Sequence, residues 1–266
     1  GDREVGEGLA DFRVEHSAEL NQILAKSVAA MMMEGLVSLK RVAQDGKRVR
    51  ASAGSKSFRR RKTLEHCLQV AQEQVEALNK ELEEHPEGSS KRQKAAQERA
   101  KRERQARVEK ALERMQELEA RQEKNIKARK VKRDKLKPAR ASTSDPEAQV
   151  MKMADGGFRP AFNAQFCTDT GAQIILDVQV SQQGNDTGLA GPTLDRIAAQ
   201  YGKRPEETLN DTGYFSAEEI VSISQKGCTP YMAIPARGKQ KQPAGIDPRY
   251  QVRPSDPPEV AALRER

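Results

Sequence analysis

The chain has 266 residues, 36% of them hydrophobic and 32% charged, with 4% aromatics, no tryptophan and a formal net charge of +8. That length allows one or two domains with a sizeable core, but so charged a composition leaves much of the chain unburied. The positive balance favours a polyanionic partner, and the longest apolar run, Val28 to Met33, breaks at Glu34 and is far too short to span a bilayer.

Residues 17–36 read as an amphipathic helix with Leu20, Leu24, Val28, Met31 and Met32 on one face, stopped at Gly35. Two strands follow, at about 39–44 and 47–53, with Asp45-Gly46 between them. Asp-Gly between strand-like runs is a hairpin signal, so Asp45 reads either as a turn residue or as a carboxylate delivered by a strand. Residues 58–84 carry Leu64, Leu68, Ala71, Val75, Leu78 and Leu82 at spacings of four and three, a heptad seam. After a break at residues 85–90, rich in Pro, Gly and Ser, a second helix runs over 91–135. Its poorer seam is Val108, Ala111, Met115, Leu118 and Ile126. The two helices are expected to form an antiparallel pair. Most of the second helix mixes charge signs, as solvated faces do. The block from Lys127 to Lys137 does not: Lys127, Arg129, Lys130, Lys132, Arg133, Lys135 and Lys137 face a single Asp134 and suit phosphate contact.

Beyond Pro138 the composition turns β-rich. Strands are expected at 158–168 and 173–180, with Asp169-Thr170-Gly171 as the turn between them and Asp177 on a solvent face. A helix opens at Gly191-Pro192 and closes at Gly202, and a short strand at 208–210 runs into Asp211. Ser216-Ala217-Glu218-Glu219 is a capping box before the next helix, and a strand follows at 229–234. Cys67, Cys167 and Cys228 are widely spaced, with no C-x-x-C pair and no ligand cluster with His16, His66 or His85. They read as isolated buried thiols of a reducing cytosol. The chain starts at Gly1, shows no signal peptide, and ends in a helical-looking stretch at 259–266 without a cap, so it reads as a piece of a longer protein. No G-x-x-x-x-G-K-[ST], G-x-G-x-x-G, G-x-S-x-G or H-E-x-x-H motif is present.

Gln44-Asp45-Gly46, running into Val49-Arg50-Ala51-Ser52-Ala53 and Ser57-Phe58-Arg59-Arg60, resembles the first catalytic-aspartate region of bacterial insertion-sequence transposases of the DDE type. Asp145-Pro146-Glu147-Ala148, Met151-Lys152-Met153 and Gly156 to Gln165 look like that family's second and third strands. Asp211-Thr212-Gly213-Tyr214 is similar to the D-x-G-Y/F signature around its second catalytic aspartate. The resemblance covers nearly the whole chain in order. It implies an α/β, RNase H-like mixed sheet flanked by helices and interrupted by a long antiparallel, coiled-coil-like helical-hairpin insertion. The segments expected are an N-terminal helical part (1–38), a first core part (39–56), the basic insertion (57–137), a second core part (138–236) and an incomplete C-terminal part (237–266).

The resemblance further implies that Asp45 and Asp211 are catalytic and hold Mg²⁺, with Mn²⁺ as a substitute, for in-line phosphoryl transfer on DNA. The implied partners are double-stranded DNA and transposon ends, with self-association, in a bacterial, nucleoid-associated cytoplasm. Arg59, Arg60 and Arg61 join the basic block as DNA-binding residues. The family's glutamate sits in a Y…R…E helix beyond the last core strand. The chain stops before any such motif, and neither Glu259 nor Glu265 is assigned to that role, so this chain is expected to be incomplete and weakly active or inactive in cleavage. Asp186, in Gly184-Asn185-Asp186-Thr187, resembles a family position and also suits a helix-entry turn. The competing readings are a non-catalytic coiled-coil DNA-binding protein and a decayed transposase fragment.

Overall fold

A computed structural model describes residues 12, 15–84, 91–129, 138–235 and 247–266, and Gly35, at φ +72°, ends its first helix. In chain order the elements are α1 (Ser17–Met33), β1 (Arg41–Arg50), β2 (Phe58–Arg59), α2 (Arg61–Glu84), α3 (Lys91–Arg129), β3 (Ala141–Ser142), β4 (Gln149–Lys152), β5 (Phe158–Asp169), β6 (Ile175–Ser181), α4 (Ala190–Tyr201), β7 (Glu207–Asn210), α5 (Ala217–Gln225), β8 (Thr229–Met232) and α6 (Pro258–Glu265). They divide into two units, one of Gly1–Lys47 with Asn163–Arg266 and the other of Arg48–Phe162. Among the described residues no helix is long and apolar enough to cross a membrane.

The first unit is mixed α/β. Its strands lie in the order β6, β5, β1, β7, β8. β5 and β6 form an antiparallel hairpin. Thr170 N donates to Arg41 O at 3.0 Å where β5 ends beside the start of β1. β7 and then β8 add in parallel on the other side of β1. Such parallel steps need crossover helices, which α4 and α5 supply. The core gathers Val28, Leu39, Val42, Leu176, Leu194, Ile197, Ile220, Ile223 and Tyr214, with Val260 and Leu263 of α6. Helix ends follow the sequence signals: Gly202 caps α4 at φ +67°, and Ser216 Oγ accepts from Glu219 N at 3.2 Å to start α5.

Two sequence expectations fail here. The hairpin turn at Asp45-Gly46 does not exist, because β1 runs unbroken through both residues. Ladder partners on both sides of β1 hold it extended and override the local turn preference. Asp177 is not on a solvent face. It is 8% exposed and takes Arg196 Nη2 and Nε of α4 at 2.7 and 3.2 Å. Asp169 is a hairpin-turn residue, as expected, accepting Gly171 N and Ala172 N at 2.9 and 2.8 Å.

In the second unit α2 and α3 pack antiparallel. Arg61 at the start of α2 reaches Glu119 late in α3, whereas Gln74 takes Arg104 from further back. Both heptad seams are used between them: Leu64, Ala71 and Leu78 are buried, as are Val108, Ala111 and Met115. β2 pairs with β3, Phe58 opposite Ser142, and β4 pairs with the first part of β5. The sequence break at 85–90 and the end of the basic block at 130–137 lie outside the described residues.

Candidate functional site

Gln44 of β1 and Asn210 of β7 are partners in the parallel ladder, so Asp45 and Asp211 are the next residues on two adjacent strands. Both are exposed. Each carboxylate turns one oxygen onto nearby backbone, Asp45 Oδ1 accepting Gly46 N at 2.7 Å and Asp211 Oδ1 accepting Gly213 N at 2.8 Å. The Asp211 bond is the side-chain turn that Asp favours ahead of glycine.

A buried polar network adjoins them. Gln44 Nε2 donates to Gln165 Oε1 at 2.9 Å and to Leu189 O at 3.3 Å. Gln165 Oε1 also accepts from the Tyr214 hydroxyl. Gln165 Nε2 and Asn163 Nδ2 both donate to Asp186 Oδ1, at 2.8 and 2.7 Å. Asp186 is 6% exposed and Asn163 fully buried, and Asn163 Oδ1 has no hydrogen-bond partner. Tyr214 is fully buried. Burial raises the pKa of its hydroxyl far above the usual phenol value, and the charges of Asp186, Asp45 and Asp211 push it further in the same direction. The field of all three aspartates therefore meets on one hydroxyl.

Two glycines let these groups approach. A β-carbon at Gly46 would stand 2.3 Å from Gln165 Nε2, 2.5 Å from Asp186 Oδ1 and 2.8 Å from Asn163 Oδ1. One at Gly213 would stand 3.0 Å from both Asp186 Oδ2 and Asp211 Oδ1. Only glycine fits at position 46, so the Asp45-Gly46 pair is a packing requirement. Glu219 holds the Asp186 loop from α5. Its carboxylate accepts Gly188 N, Ala190 N and Gly191 N at 2.7, 2.8 and 3.1 Å, satisfying donors that the start of α4 would otherwise leave orphaned. Thr187 Oγ1 ties the same loop to Gly213 O at 3.0 Å. Asp186 lies in the turn that leads into α4, its carbonyl accepting Leu189 N at 3.2 Å, so the helix-entry reading of its position holds.

Among the described residues no three His, Cys, Asp or Glu side chains are gathered closely enough to hold a metal ion as they stand. Of the basic residues, Arg59, Arg60 and Lys127 are exposed. Arg61 is committed to Glu119, with Nη2 to Oε2 at 2.6 Å, and that hydrogen bond raises its pKa further. Arg60, Arg61, Lys62, Glu119 and Gln122 line an open cleft of about 770 Å³ in the second unit. Arg129 ends α3; its side chain and residues Lys130, Lys132, Arg133, Lys135 and Lys137 lie outside what is described.

Sequence reading found Asp45 and Asp211 but missed Gln44, Asn163, Gln165 and Glu219. A signal was present: Asn163 and Gln165 alternate with Ala161 and Cys167 on the inward face of β5, and polar residues at core positions of a strand mark a site. No family model, no curated protein and no solved structure matches the chain.

Proposed function

We propose that the chain is a DNA transposase of the DDE type, of the bacterial insertion-sequence kind, with an RNase H-like core. In this reading it cuts and joins DNA phosphodiesters with Mg²⁺, for which Mn²⁺ substitutes, and α2 and α3 form an insertion that grips DNA. The observation that carries the reading is the ladder step Gln44–Asn210, which sets Asp45, midway along β1, beside Asp211, just past the end of the adjacent parallel strand β7. The order β6, β5, β1, β7, β8 supports it. Asp45 then lies on the first core strand and Asp211 just after the fourth, as expected of an RNase H-like core of this kind.

The residues present suit a hard divalent ion. Asp45 and Asp211 are exposed carboxylates, and hard cations take oxygen ligands. The unpartnered buried oxygen of Asn163 marks a site built with spare acceptor capacity. Asp45 and Asp211 would hold the ion, which when bound supplies a more acidic water and charge neutralisation at the phosphate. The protein's own contribution is positioning: the Gln44–Gln165–Tyr214 network holds the middle of β1 beside the turn that follows β7, and Tyr214 stays a neutral donor to Gln165. DNA contact falls to Arg59, Arg60, Lys127 and the block up to Lys137, and synapsis of two transposon ends calls for self-association. The coiled-coil reading loses force because the seams of α2 and α3 are already buried against each other.

The test is nicking of a supercoiled plasmid by the chain, by Asp45→Asn and by Asp211→Asn, with Mg²⁺ or Mn²⁺. The expected result is weak metal-dependent nicking that is lost in both variants. Salt-sensitive DNA binding without nicking in any of the three would contradict the reading.

A further inference from the structure

Arg104 and Arg107 stand one turn apart on α3, so both lie on one side of that helix. They share a pocket of about 290 Å³ with Cys67 of α2, Val108, and Thr143 and Ser144 of the loop after β3. We propose that this pocket is an oxyanion site that takes one backbone phosphate of double-stranded DNA. The proposal rests on the DNA-binding part of the reading above and is independent of its metal chemistry. It adds a contact that Arg59, Arg60 and the block up to Lys137 do not supply.

The positive charge at the pocket is left uncompensated. Among the described residues no carboxylate lines it. Arg104 bonds only the neutral Gln74, Nη1 to Oε1 at 3.1 Å. Arg107 reaches Glu103 Oε2 at no closer than 3.9 Å, and the other oxygen of that carboxylate is taken by Arg99 Nε at 2.9 Å. Elsewhere on the same helix arginine charge is matched within a turn, as Arg102 is by Glu98 at 2.5 Å. Two guanidinium groups with spare N–H donors around one concavity suit phosphate oxygens, whose geometry the guanidinium fork matches.

The opposite wall is polar and held in place. Ser142 is fully buried; its Oγ accepts Ser144 N and Asp145 N at 3.1 and 3.0 Å and shares a hydrogen bond with Ser57 Oγ at 2.7 Å. Thr143 N donates to Ser57 O at 3.2 Å. The hydroxyls of the two pocket residues are little used: Thr143 Oγ1 makes one long bond, to Ser57 O at 3.4 Å, and Ser144 Oγ bonds no described residue. The buried Val108 and half-buried Cys67 supply the apolar part of the wall. Both arginines are exposed, which fits a phosphate presented on a polymer, and the net charge of +8 points to the same class of ligand.

The test measures binding of a fluorescein-labelled duplex by anisotropy across a KCl series. It compares the wild type with Arg104→Gln/Arg107→Gln, Arg104→Lys/Arg107→Lys and Arg102→Gln, each checked for native circular dichroism. The double glutamine variant should lose about one unit from the slope of log affinity against log salt, the value of one phosphate contact. Arg102→Gln, outside the pocket, should leave the slope unchanged. The double lysine variant keeps the charge but not the fork, and should keep the slope while binding at least about fivefold more weakly. A wild-type slope in the double glutamine variant overturns the pocket and leaves the wild type's own DNA binding, and the reading built on it, standing. Wild-type affinity in the double lysine variant also overturns the pocket, in favour of diffuse charge. Calorimetric titration with inorganic phosphate separates the two sources of the group: free phosphate bound by the wild type and not by the double glutamine variant, with an unchanged DNA slope, overturns DNA as the ligand. Absence of DNA binding in the wild type overturns both the pocket and the DNA-binding reading.

Discussion

Gln44 and Asn210 face each other across the parallel ladder of β1 and β7, and the residue after each is an exposed aspartate. One step of strand register thus brings together two carboxylates separated by most of the sequence. The partners of Gln44, in turn, connect that register to the Gln165 amide and to the start of α4. Site geometry and sheet register are therefore the same structural fact, and a change that disturbs one disturbs the other.

Gly46 is the tightest point. Gly46→Ala places a β-carbon against three side-chain atoms that are already hydrogen-bonded to one another or buried, and none can retreat without breaking the network. The expected cost is about 1–3 kcal/mol, read as a lower urea midpoint with an unchanged slope. Loss of Mn²⁺ binding should accompany it. A variant as stable as the wild type would show that the crowding around Gly46 is relieved at no cost.

Glu219 makes a separate prediction. Glu219→Ala leaves Gly188, Ala190 and Gly191 N–H groups at the start of α4 without their acceptor. Destabilisation of about 1–3 kcal/mol is expected, with increased amide hydrogen exchange confined to residues 186–191. Glu219→Gln retains one acceptor oxygen and should fall between the two.

The thiols give a pH signature. Burial raises Cys167 from the ordinary 9.0 to about 12 and Cys228 to about 11, while Cys67 is half-buried. At pH 8 an aromatic disulfide reagent should titrate one thiol in the native chain and three in denaturant. Because both buried thiols hold their protons more tightly folded than unfolded, their contribution is intact below pH 9 and lost as pH rises through about 11 to about 12. Alanine at both positions should flatten the alkaline fall in stability.

Arg59 and Arg60 are exposed, whereas Arg61 is engaged with Glu119. Replacing Arg59 and Arg60 with alanine should reduce the dependence of DNA affinity on salt by roughly one logarithmic unit per lost phosphate contact. Arg61→Ala should act differently, lowering the thermal midpoint through the lost α2–α3 pair. Equal effects on salt slope from all three would contradict this division.

Much of the architecture was legible because it rests on local chemistry. Gly35, Gly202 and the Ser216 N-cap marked helix ends that the structure reproduces, although Glu219 turns to the start of α4 instead of closing the capping box, and the seams at Leu64 and Met115 identified the packed helices. Asp45-Gly46 misled because its turn chemistry is local while its actual constraint, crowding by Gln165 and Asp186, comes from strands and loops far along the chain. Asp177 misled likewise, since its partner Arg196 belongs to another element. Asp186 was visible only as an acid in a turn; the amides that orient it are assembled by the sheet.

The most direct test of the proposed metal site replaces Asp45 and Asp211, one at a time, with cysteine and assays plasmid nicking in Mg²⁺ and in Mn²⁺. Thiolate is a poor ligand for Mg²⁺ and a better one for softer ions. The account predicts that nicking by each cysteine variant is lost in Mg²⁺ and restored at least in part by Mn²⁺, with the wild type active in both. Full activity of either cysteine variant in Mg²⁺, or loss that no metal restores while Asp45→Asn and Asp211→Asn retain wild-type nicking, would contradict it.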